Sequence, residues 1–160
     1  YGDPTHRCVC TPGQIQRYMN KISGPLLDRI DIQCEISPVP FKDISKAAPG
    51  EPSAKIRERV IRAREIQAER FKDCKGIHCN AQMTERMIHQ FAEPTEEGIN
   101  LLRMAMEKLS LSARAYNRIL KVARTIADLA GSQQIEPQHL AEAIGYRTLD
   151  RGDWAERGHF

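Results

Sequence analysis

Apolar and polar positions alternate with two different periods along this chain. Over Ile30 to Ser37, Ile30, Ile32, Cys34 and Ile36 alternate with Asp31, Gln33 and Glu35, the period of a half-buried strand. Everywhere else the period is helical. Ile15, Met19 and Ile22 predict a short amphipathic helix over Gln14 to Ile22, ended by Gly24-Pro25. After Pro38 to Pro52, a stretch with four prolines that reads as a connector, Ser53 is placed to cap a helix to about Lys72. Ile56, Val60, Ala63, Gln67 and Phe71 recur on one side of it, and Lys55, Arg59 and Arg62 form a separate basic stripe.

A short helix is expected over Thr84 to Phe91, and another from Pro94-Thr95 to Leu109 with Ile99, Leu102, Met106 and Leu109 inward despite Gly98. Ser110 or Ser112 then caps a helix to Ala130, closed by Gly131, with Ile119, Ala123, Ile126, Ala127 and Ala130 as its apolar stripe. Glu136-Pro137 opens the last helix, through Ala143 and Ile144, and the tail from Tyr146, with Arg147, Arg151 and Arg157, shows no period and is expected to fray. One strand cannot satisfy its own edges, so the pattern implies partner strands that these residues do not supply. The expected fold is mainly α: a helical bundle preceded by the terminal helix and strand of an α/β unit.

Composition changes this picture little. The 160 residues are 41% hydrophobic and 28% charged, a globular balance able to bury roughly two-thirds of the unfolded surface. The net charge of +3, with a pI near 8.7, falls short of a dedicated nucleic-acid binder. The sequence has no apolar run of membrane-spanning length and does not open with a signal-peptide pattern, so a cytoplasmic location is expected. Five cysteines, an odd number, suit a reducing compartment without disulfides. The first residue is not Met, and the chain reads as a piece of something longer.

The sequence contains no G-x-x-x-x-G-K-[ST] loop, no G-x-S-x-G elbow and no H-E-x-x-H helix, so a complete catalytic centre of those kinds is not expected. Two arginines sit where charge can act. Arg114 falls in the first turn of the helix after Ser112, where the helix dipole adds to the guanidinium in holding an anion. Arg29 lies between the Gly24-Pro25 turn and the strand, where a rigid strand end would present it to a transferring phosphoryl group. Ion pairing, for Arg29 with Asp28 or Asp31, is the plainer role at each position.

The runs Ser23-Gly24-Pro25-Leu26-Leu27-Asp28-Arg29-Ile30-Asp31, Cys79-Asn80-Ala81-Gln82-Met83, Ser112-Ala113-Arg114-Ala115-Tyr116-Asn117-Arg118 and Ala123-Arg124-Thr125-Ile126-Ala127-Asp128-Leu129 resemble the magnesium-chelatase-like AAA+ ATPases of the ComM/YifB type. The match runs from the first residue to about Arg151. The resemblance implies the C-terminal part of such an ATPase: residues 1–37 the end of the nucleotide-binding core, 38–52 a linker, 53–145 a helical lid, 146–160 a flexible tail. It implies an arginine finger in trans at Arg29 and a sensor-2 arginine, touching the ATP γ-phosphate, at Arg114.

ATP and magnesium would be cofactors of the whole protein, a homo-oligomeric ring its working form, and DNA branches in recombination and natural transformation its substrate. With the phosphate-binding loop upstream, this chain alone should not hydrolyse ATP. The resemblance also makes Cys8-x-Cys10 the second half of a cysteine motif, and Cys74, His78 and Cys79 are the remaining thiolate and imidazole candidates for a structural zinc site. His6, His89 and His139 show no ligand spacing and are expected at the surface. Two readings of other classes stand beside the ATPase lid. One is a DNA-binding helical module using Arg118, Lys121, Lys55, Arg59 and Arg62; the other is a protein-interaction scaffold.

Overall fold

The computed structural model describes residues 8–34, 36, 38–45, 48–109 and 111–147. Among them the chain is helical, as the dominant period predicts. The elements are α1 (Pro12–Met19), α2 (Gly24–Leu27), α3 (Phe41–Ser45), α4 (Ser53–Arg70), a 3-10 turn (Asn80–Gln82), α5 (Glu85–Phe91), α6 (Glu96–Leu109), α7 (Ala113–Leu129) and α8 (Pro137–Gly145).

Local chemistry sets the boundaries. Thr11 and Gln14 close a reciprocal capping box on α1, Thr84 caps α5, and Ser112 rather than Ser110 caps α7 by accepting the Ala115 N–H at 3.2 Å. Ser110 lies outside the described residues. The far end of α7 is a Schellman turn: Gly131 takes φ +71, its N–H bonds the Asp128 carbonyl, and the Ser132 N–H bonds the Ala127 carbonyl at 2.8 Å. Ser53 is the first helical residue of α4 and Pro52 occupies the cap position, so the serine cap expected there does not form. α2 and α3 fall in stretches expected to be loop and connector.

α7 is the central element. α4 and α8 both pack against it and α6 packs on α8, while α5 and the 3-10 turn also contact α7. Ala115, Ala123 and Ala127 are buried and let neighbouring helices approach α7, while Ile119, Leu120, Leu102, Leu140 and Ile135 fill the space between. Each such aliphatic side chain contributes about 1.5–3 kcal/mol on burial. Phe71 and Phe91 meet edge to face, with centroids 5.6 Å apart. Gly98, the interior glycine of α6, is a contact point: a Cβ there would lie 2.8 Å from Leu140 Cδ1.

The strand expected over Ile30 to Ser37 does not form among the described residues; Glu35 and Ser37 lie outside them. A single parallel bridge joins Gln33 to Arg147, with the Gln33 N–H on the Tyr146 carbonyl at 2.8 Å. The alternation is consequently inverted: Gln33 is 4% exposed, while Ile32 is 52% and Ile36 87% exposed. An alternating segment turns its apolar side inward only against a sheet, and here it meets one backbone edge instead. That edge belongs to Arg147, which was expected to begin the fraying tail but is buried, its guanidinium donating to the Ile30 carbonyl. Residues 148–160 and 1–7 lie outside the described residues.

Candidate functional site

Asp28 and Ser112 bring the two candidate arginines together. Asp28 ends α2, with its N–H on the Gly24 carbonyl, and its carboxylate accepts a hydrogen bond from Ser112 Oγ at 2.9 Å. The same hydroxyl oxygen caps α7, so one side chain ties the residue before Arg29 to the residue two before Arg114. Arg147 NH2 lies 3.8 Å from Asp28 Oδ1 on the other side. Arg29 and Arg114 are both exposed, and both line a cavity of about 250 Å³ with Asn117, Arg118 and Lys121 of α7 and Glu85 of α5.

This cavity is strongly cationic. Four cations, Arg29, Arg114, Arg118 and Lys121, line it against the single carboxylate of Glu85. Arg118 is engaged by the Asp31 carboxylate, and Lys121 Nζ donates to the Ala81 carbonyl at 2.9 Å. Burial pushes the Lys121 ammonium below its ordinary value and the Arg118 charge pushes further, with Asp31 acting in the opposite direction. Arg114 stands in the first turn of a 17-residue helix, where the dipole adds to its charge. The arrangement has the chemistry to bind a polyanion: convergent guanidinium groups with few acids to neutralise them.

A second cluster, buried and structural, was not anticipated from the sequence. Asp128, whose side chain is fully buried, accepts from Arg70 through both oxygens at 2.7 and 2.5 Å, from Arg124 Nε at 3.1 Å and from Asn80 Nδ2 at 2.8 Å. Arg124 also donates to the Ser132 and Gln133 carbonyls beyond α7, and the Asn80 N–H donates to Gln67 Oε1. Burial lowers the Arg124 guanidinium, and the Asp128 carboxylate beside it offsets part of that. The network joins α4, the 3-10 turn and α7. Its one local signal was the i, i+4 spacing of Arg124 and Asp128.

The remaining candidates fare differently. Cys8 and Cys10 are exposed; the Cys10 backbone and then its thiol lower the Cys8 thiol, and Cys8 in turn raises that of Cys10. Among the described residues, no group of three or more His, Cys, Asp or Glu is placed to hold a metal ion. His139, expected at the surface, is buried: its Nδ1 accepts the Glu136 N–H at 3.1 Å and completes the cap of α8. His89 is exposed and His6 lies outside the described residues. Of the five cations assigned to a DNA-binding face, Arg118 is paired with Asp31, Arg59 with Glu51, and Lys121 with a backbone carbonyl. No helix among the described residues is long and apolar enough to cross a membrane.

A family model described as magnesium chelatase, subunit ChlI C-terminal, matches residues 50–147, and the model for magnesium chelatase, subunit ChlI, matches residues 1–44. The competence protein ComM of Haemophilus influenzae is 45% identical over 142 residues, which cover 88% of this chain and 27% of that protein. YifB of Escherichia coli is 45% identical over 143 residues, 89% of this chain and 27% of YifB. A Mycobacterium tuberculosis protein, Rv2897c, is 34% identical over 140 residues, 88% of this chain and 27% of its own length. The chain thus spans about a quarter of the length of these relatives.

Proposed function

The chain belongs to the magnesium chelatase ChlI family, in its ComM/YifB-like branch, and we propose that it is the lid-bearing portion of a ring ATPase in which Arg29 and Arg114 act together on one nucleotide. The observation that carries this reading is the convergence of both arginines on one cationic cavity, tied by the Asp28 to Ser112 hydrogen bond.

A phosphate chain suits that cavity, because its charge is met by four cations and its oxygens by the fixed donors of guanidinium and amide groups. Arg29 serves as the arginine finger in trans, and Arg114, lining the same wall, reaches the γ-phosphate of the same neighbouring subunit's nucleotide. Arg118 and Lys121 neutralise the flanks, and Asn117 orients an oxygen. ATP with magnesium supplies the phosphoryl group to be transferred; the 160 residues contain no phosphate-binding loop, so hydrolysis requires segments outside this chain. The name of the Haemophilus influenzae relative, a competence protein, supports DNA as what the ring acts on.

The test is ATP turnover and nucleotide binding in the full-length ATPase carrying this chain. Arg29→Ala is expected to abolish turnover with binding retained, and Arg114→Ala to weaken binding, turnover or both. Removing a charge that stabilises phosphoryl transfer should cost about 10³-fold or more in rate. Wild-type turnover in an Arg29→Ala ring refutes the finger, and an unaltered Arg114→Ala enzyme refutes the shared site.

A further inference from the structure

Lys121 stands where two faces of α7 meet. Arg114, Asn117, Arg118 and Lys121 follow one another at three- and four-residue steps, so one stripe of the helix lines the cationic cavity of about 250 Å³. Val122, Ile126 and Leu129 follow at similar steps one position on, and with Ile32 they form the apolar part of a second cavity, of about 280 Å³. Lys121 lines both. Its Nζ donates to the Ala81 carbonyl at 2.9 Å, and Ala81 also lines the second cavity. Among the described residues Lys121 is the half-buried lysine, while Lys21, Lys42, Lys55, Lys72, Lys75 and Lys108 are exposed. Burial, and after it the Arg118 charge, hold its ammonium below the ordinary value against the opposing pull of Asp31 and Cys79, so more of this side chain is the neutral amine.

We propose that Lys121 is an acylation site whose donor is a short-chain acyl phosphate, its phosphate held in the cationic cavity and its acyl chain in the apolar one. An acyl phosphate joins a dianion to a short hydrocarbon through one reactive carbonyl, and the two cavities offer the matching pair of surroundings with an amine between them. Arg29 and Arg114 take the phosphate oxygens, with Arg118 beside them in its pair with Asp31. The lone pair of Nζ attacks the carbonyl carbon and the bond from that carbon to the phosphate oxygen breaks. One amine proton leaves with the phosphate, so the products are an amide and hydrogen phosphate. The guanidinium groups favour the step because they face the oxygen on which charge gathers as the bond breaks. Acylation removes one of the four cations of the cavity, so the modified chain binds phosphate more weakly. The inference deepens the nucleotide reading and rests on it, since it requires that the cationic cavity hold a phosphate.

Peptide mass spectrometry on the 160-residue chain tests it with two reagents that deliver the same acyl group, butyryl phosphate and the N-hydroxysuccinimide ester of butyrate. The readout is labelling at Lys121 relative to the exposed Lys42 and Lys108, because a reactive amine alone raises that ratio equally with both reagents. Docking of the phosphate is expected to raise it at least about tenfold further with butyryl phosphate. Arg114→Ala is expected to bring the butyryl phosphate ratio down to that of the ester. Arg86→Ala removes an exposed cation that lines neither cavity and is expected to keep the excess. Arg114 is exposed, and circular dichroism checks the helices of both variants. Equal ratios with the two reagents overturn the acylation site, as does an excess that survives Arg114→Ala. Inorganic triphosphate binding, measured by calorimetry on the unmodified chain, separates this failure from that of the nucleotide reading. Binding with equal ratios removes the acylation site and leaves the phosphate site standing; equal ratios without binding remove both.

Discussion

Asp128→Ala tests whether the buried network holds the cationic cavity in place. The substitution removes both contacts to Arg70, the 3.1 Å contact to Arg124 Nε and the 2.8 Å contact to Asn80 Nδ2. Two guanidinium groups stay behind, with side chains 13% and 3% exposed, and neither can turn to water without unpacking α4 or the end of α7. Breaking a buried pair by deleting one partner costs about 3–5 kcal/mol. At about 2–4 °C per kcal/mol for a chain of this size, the midpoint of thermal unfolding followed by far-UV circular dichroism should fall by at least about 6 °C. Arg118→Ala is the internal control: its pair with Asp31 is part-exposed, 33% and 47%, and is worth about 0–1 kcal/mol. A fall below about 4 °C for Asp128→Ala, or one no larger than the control, refutes the reasoning. The same network locates the 3-10 turn whose Ala81 carbonyl holds Lys121, so the variant should also loosen phosphate binding.

Gly98→Ala weighs two opposed effects. Helix propensity favours alanine by at most about 1 kcal/mol, while its Cβ would sit 2.8 Å from Leu140 Cδ1 and 3.1 Å from Pro94 Cβ. Leu140 is fully buried and has no space to yield, and overpacking costs about 1–3 kcal/mol, so a net loss of stability is expected in denaturant unfolding. A stabilised variant would show that α6 and α8 shift apart freely. For Lys121, burial holds the folded-state value below the unfolded one, so the folded chain favours the neutral amine. The resulting penalty is present in full below the folded value and is relieved as pH rises through it toward 10.5. Acylation read by peptide mass spectrometry at mildly alkaline pH should therefore mark Lys121 early, and inorganic triphosphate in the cavity should slow it by restoring the ammonium. Labelling indifferent to triphosphate counts against Lys121 as a phosphate ligand.

Helix positions were legible because capping and periodicity are local. Ser112, Thr84 and Gly131 act within one turn of themselves, and the stripe of Ile119, Ala123 and Ala127 needs only the 3.6-residue repeat to be seen. The strand was misjudged because alternation states which side is apolar and not whether a sheet exists to cover it. At Gln33 the available partner was the backbone of Tyr146 and Arg147, more than a hundred residues away in sequence. Arg147 was expected in a fraying tail and His139 at the surface for a similar reason, since polarity predicts exposure until a specific partner is present.

The sequence by itself determined that this chain is helical, where α4 to α8 lie, and, through motif resemblance, its family and the two arginines worth examining. Only the tertiary structure decided that Arg29 and Arg114 share one cavity and that Asp128 gathers Arg70, Arg124 and Asn80. Those facts depend on pairs such as Asp28 with Ser112 and Arg70 with Asp128, 84 and 58 residues apart. Helix propensity and capping act over a turn or so of the chain, whereas a contact at that separation exists only once packing has brought the two segments together.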